Sequence, residues 1–115
     1  MKVGLIKGRH EMPVTEYIFD SVGNVLNFKR MDDQITVWLY NHRHDIGDRL
    51  YVYTTGLTAV VAAVVKACYE MDIPLSLMQY DMVTGEYVEQ EIRDKGGNKH
   101  ETISNYINRD GIGRQ

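Results

Sequence analysis

Three short stretches carry residues whose types suit anion chemistry. Gly8, Arg9 and His10 follow the first apolar run. Arg9 offers a planar guanidinium that matches phosphate oxygens, and His10 offers a ring able to donate to phosphate or to act as acid or base. Thr54, Thr55, Gly56, Leu57 and Thr58 precede a long apolar segment. Gly56 lets a ligand approach the backbone. The N–H groups of a helix starting near Leu57 would point at it, with the hydroxyls of Thr55 and Thr58 as further donors. Asp81 opens a third stretch, Asp81–Gly85. Each stretch also has a plain reading: Thr-Gly-Leu-Thr as a helix cap, Asp81 as a turn residue, and Arg9-His10 as a solvated loop. Neither G-x-G-x-x-G nor a Walker A motif occurs, so dinucleotide cofactors and NTP hydrolysis lack their usual signature. His42, His44 and Asp45 read as residues at a helix end, where cations suit the dipole, and not as a metal site. No cofactor and no metal is expected.

Elements that would bring these stretches together are legible around them. Tyr51, Val52 and Tyr53 favour a strand. Leu57 to Met71 is mostly Ala and Val, and at this length it reads as a helix. Being apolar on nearly all sides, that helix needs two covers: a sheet, and more protein from this chain or a second copy. Leu75 to Tyr80 forms the next strand, and strand–helix–strand implies a right-handed parallel crossover. Lys2 to Lys7 is a first strand, expected to be central, followed by a loop over Gly8–Pro13. Thr15 is expected to cap a short helix holding Glu16, Ile18 and Val22, with Gly23 at its end. Met31, Ile35, Trp38, Leu39 and His42 share one helical face, with Asp32 and Asp33 as N-terminal acids and Gly47 as the stop. Tyr87 to Ile92 returns antiparallel as an edge strand bearing Glu89 and Glu91. Ile103, Tyr106 and Ile107 sit at helical spacing, and Arg109 and Arg114 follow. The expected fold is one α/β domain over residues 1–115, Rossmann-like, mainly parallel, with an antiparallel C-terminal hairpin strand. In such sheets ligands bind beyond the carboxyl ends of the strands, where all three stretches would gather.

Composition narrows the classes. A formal charge of −3 argues against general affinity for DNA or RNA polymers. Cys68, the one cysteine, lies within the apolar segment, which excludes an intramolecular disulfide and points to a reducing, cytoplasmic setting. No apolar run reaches membrane-spanning length, and MKVGLIKGRH lacks the apolar region of a signal peptide. Six Met and eight Tyr are many for 115 residues.

The run from Thr55 to Gln90, with TGLT opening a helix, then IPLSLMQYD, then TGEYVEQ, resembles the small CRISPR-associated ring nucleases related to CARF domains. The likeness covers about a third of the chain and rests on Gly56, Pro74, Tyr80, Asp81, Gly85 and Gln90. It implies a CARF-like domain that binds cyclic oligoadenylate, or a similar cyclic nucleotide, across a homodimer or higher homo-oligomer. The family's metal-dependent members carry a histidine late in the helix; Tyr69, Glu70, Met71 and Asp72 stand there in this chain. Asp81 matches the family's aspartate, and its partner is missing. Sequestration of the messenger, as in small viral counter-defence proteins, is therefore the expected activity. The alternatives are a metal-independent ring nuclease using His10 as its catalytic group, and an oligomerisation module without ligand.

Overall fold

The computed structural model describes residues 1–8 and 11–94. Arg9 and His10 lie outside the described residues, as do the helical spacing of Ile103, Tyr106 and Ile107 and the tail arginines Arg109 and Arg114. The elements run β1 (Lys2–Ile6), β2 (Tyr17–Phe19), α1 (Phe28–Asn41), β3 (Leu50–Tyr53), α2 (Thr58–Glu70), β4 (Leu75–Asp81) and β5 (Glu86–Arg93). They form a Rossmann-like α/β domain built on one five-stranded sheet of order β2-β1-β3-β4-β5. β1 pairs in parallel with β2 and β3, and β3 with β4; only β4–β5 is antiparallel. β1 is an interior strand, and β3 takes the centre.

Both crossovers, β2–α1–β3 and β3–α2–β4, step the same way across the sheet. With the usual right hand, both helices land on one face, and there they pack on each other. The core lies between them and the sheet. Val3, Leu5, Leu50, Val52, Leu75 and Leu77 come up from the strands, and Met31, Ile35, Leu39, Val60, Val64 and Cys68 come down from the helices. The second cover of α2 is thus α1 of the same chain, with Lys66 reaching the Asp32 carboxylate at 2.9 Å. Cys68 is fully buried, and burial pushes its thiol up to about 12.

Three local expectations fail. Thr15–Gly23 is not a helix: Tyr17–Phe19 is strand β2. The Ile18–Val22 spacing suits a helical turn, but pairing with β1 satisfies the backbone instead. Gly4 N–H donates to Glu16 O and Lys7 N–H to Phe19 O, both at 2.9 Å. Asp32 and Asp33 do not open α1. The helix starts a turn earlier, where the Asn27 side chain accepts the Arg30 N–H, and the two acids pair instead with Lys66 and Lys29. It also ends before Gly47, at His42, whose Nδ1 lies 2.7 Å from Trp38 O while its ring stacks on Trp38. Gly47, at φ +72°, shapes the turn into β3.

The face away from the helices is closed by aromatic side chains. Register puts Gly4 beside Tyr53 on one side and Tyr17 on the other. The Tyr17 ring lies directly over Gly4, and Met12 is buried against the same spot. A Cβ on residue 4 would run into that ring. Gly4→Ala is therefore expected to destabilise by about 1–3 kcal/mol through overpacking, read from urea unfolding, with Tyr17→Ala restoring part of the loss in the double variant. Equal stability of Gly4→Ala and the parent chain would show that the ring moves aside at no cost.

Candidate functional site at the carboxyl edge of the sheet

Because β1, β3 and β4 are parallel, their C-terminal ends share one edge. Gly8 follows β1, Thr54–Leu57 links β3 to α2, and Asp81 closes β4. The topology thus puts these described positions of the three expected stretches at one edge. Their polar groups are mostly engaged within the chain. Thr54 is buried, and its hydroxyl donates to Met78 O at 3.3 Å and to Gln79 Oε1 at 2.9 Å. Thr55 Oγ1 accepts the Leu57 N–H at 3.4 Å. Gly56, exposed with open space at its Cα, and exposed Thr58 border the start of α2, whose N-cap residue Leu57 makes no side-chain capping bond. Gly8 is exposed at φ +81°, a conformation that glycine adopts without strain.

Asp81 works as a turn residue. Its carboxylate accepts the Val83 N–H at 2.8 Å, and its carbonyl accepts the Gly85 N–H at 2.8 Å. The Val83 bond, helped by Thr84, holds its carboxyl below the ordinary aspartate range. Gly85, at φ +74°, completes the hairpin. Among the described residues, no group of three or more His, Cys, Asp or Glu side chains could hold a metal ion.

A cleft of about 600 Å³ opens on the aromatic face, lined by Glu11, Met12, Pro13, Tyr80, Gly85 and Tyr87. The β1–β2 loop forms one wall and the β4–β5 hairpin the other. Tyr87 is the hub of the aromatic wall. Its ring meets Tyr53 edge-on at 4.8 Å and Tyr80 at 5.3 Å. Tyr80 stays half exposed. Burial, and then the neighbouring phenols of Tyr80, Tyr53 and Tyr17, push the Tyr87 phenol up. It therefore stays a neutral hydroxyl at physiological pH. The expected site residues had not included this wall. Its signal was the tyrosine count together with Tyr80 and Tyr87 placed on either side of the Asp81–Gly85 turn.

Compared with protein-family models, with curated proteins and with solved structures, the chain matched nothing.

The hairpin geometry sets a pH dependence. A carboxyl held below its ordinary value stabilises the turn while ionised, and that contribution is lost as pH falls through the depressed value. The Val83 amide proton is expected to shift upfield in NMR spectra over that acid range. In Asp81→Asn, whose side-chain oxygen accepts the same bond without titrating, the shift should stay flat. A Val83 amide that titrates equally in both proteins would assign the effect to another group.

Proposed function

We propose that the protein binds a cyclic oligonucleotide messenger of antiviral signalling, cyclic oligoadenylate or a similar ring, and sequesters it at the carboxyl edge of the sheet. The observation that carries this reading is the cleft walled by Tyr80 and Tyr87. Nucleobases stack on aromatic side chains with little dependence on sequence, each stack contributing about 1–3 kcal/mol. The volume falls in the range of small-ligand sites. Glu11 on the rim suits a base amino group or a ribose hydroxyl as its donor. Phosphate charge would be met by Arg9, which the sequence places between Gly8 and the cleft residue Glu11. A ring with several bases offers more stacking surface than one cleft takes up, so a homo-oligomer would suit it. Sequestration is preferred to metal-dependent cleavage because, among the described residues, no group of three or more His, Cys, Asp or Glu side chains stands with Asp81 to hold a metal ion.

A panel of cyclic nucleotides incubated with excess protein, then released by heat and separated, tests the reading. Intact recovery of a bound ring is expected. Tyr80→Ala and Tyr87→Ala should each weaken binding by about 1–3 kcal/mol by calorimetry, with Arg9→Ala also weaker. No binding across the panel would overturn the proposal. Binding indifferent to both tyrosines would move the site, and linear product lost in His10→Ala would make the protein a ring nuclease.

A further inference from the structure

The polar side chains of the aromatic cleft are few and of two kinds. Among the described residues that line it, Glu11 stands on the β1–β2 loop, and Tyr80 and Tyr87 stand on the hairpin opposite. Met12 and Pro13 offer only apolar surface. Glu11 is exposed and joins no ion pair among the described residues. Its carboxylate has acceptors and no donor. Tyr87 keeps its proton, because burial and the neighbouring phenols push its phenol up. The Tyr80 hydroxyl lies near the hairpin turn, 3.8 Å from where a Cβ on residue 85 would stand. Gly85 has no side chain to cover it. The cleft thus sets an acceptor on one wall against hydroxyl donors on the other.

We propose that the base held in this cleft is guanine, so that the messenger is a guanine-bearing cyclic nucleotide. The inference rests on the nucleotide reading and narrows it. A carboxylate needs a base edge with adjacent donors. Guanine has one: its N1–H and N2 amino group lie side by side and give a carboxylate two parallel bonds. Adenine sets its N6 amino group beside the N1 acceptor, whose lone pair would face the carboxylate. Cytosine does the same with its N4 amino group and N3. Uracil has one N3–H between two carbonyl oxygens. An acceptor set against an acceptor leaves both unsatisfied, and that loss exceeds the net gain of a typical bond made. The Hoogsteen edge of guanine completes the match. Its O6 and N7 are acceptors, and the phenols of the opposite wall can donate to them. Stacking on Tyr80 and Tyr87 depends little on which base is present, so the choice falls to Glu11.

Calorimetry of the full chain with all-guanine and all-adenine cyclic nucleotides matched in ring size tests the inference. The guanine ring is expected to bind about tenfold or more tightly. A hypoxanthine ring, which lacks the 2-amino group, should lose most of that preference. Glu11→Gln replaces one carboxylate oxygen with an amide donor. An amide pairs one acceptor with one donor, the pattern that matches adenine, so this variant should reverse the preference. Its far-ultraviolet spectrum should be unchanged, because Glu11 is exposed. An all-adenine ring bound as tightly as the guanine ring would overturn the inference and leave the nucleotide reading standing. So would a guanine preference that survives Glu11→Gln. Binding of no ring at any size would overturn both.

Discussion

Both helix-bearing crossovers step in the same direction along the sheet, and most of the structure follows from that constraint. It sends α1 and α2 to one face, where their apolar sides bury the strand residues Val3, Leu5, Val52, Leu75 and Leu77. Among the described residues, it leaves the opposite face without a helix. That face is closed by what the strands and the β1–β2 loop provide: Tyr17 over Gly4, Met12 beside it, and Tyr53 beneath Tyr87. Tyrosine suits this position because its ring covers apolar surface while its hydroxyl remains wet. The aromatic cleft is therefore a by-product of the fold's one-sidedness.

The antiparallel hairpin sets the cleft's second wall. A fourth parallel pairing would have carried the chain back across the sheet. Turning at Asp81–Gly85 instead keeps Tyr80 and Tyr87 opposite each other at the same edge. The polar groups that favour the turn are thereby committed. Asp81 holds Val83, Thr84 Oγ1 accepts the Glu86 N–H, and Thr54 holds Met78 and Gln79. Among the described residues, this edge offers the aromatic rings and the exposed backbone around Gly56.

The parallel core was legible because its signals are local and long. Thirteen residues of α2 carry an unbroken helical reading, and Leu75–Asp81 follows it after a proline. β2 was not legible because three residues carry too little periodicity to outweigh the spacing of Ile18 and Val22. Its stability comes from β1, a distant segment that a local reading does not weigh. The shared edge of the three stretches was legible, and the arrangement of their side chains was not. Topology identifies the edge, but whether a threonine hydroxyl faces outward or bonds a neighbouring carbonyl depends on side-chain geometry across β3 and β4. The tyrosine wall depends in the same way on register: Tyr80 meets Tyr87 only because the hairpin pairs them.

Two arginines change how the outermost strand behaves. Arg93 reaches the carbonyls of Cys68 and Tyr69 and the Asp72 carboxylate on the helix side. Arg49 reaches Leu75 O, Ser76 Oγ, Arg93 O and the Asp94 carboxylate. Position alone would make β5 the first element to fray. Opening it, however, would strip partners from two largely buried guanidiniums at once, and unpaired buried charge is costly. The end of α2, the start of β3 and the far end of β5 are thus tied into one cooperative unit. In hydrogen-exchange terms, protection along β5 would rise toward Arg93 and fall toward the Asp81–Gly85 turn. The strand would open like a page bound at its C-terminal end, with the cleft at the free margin.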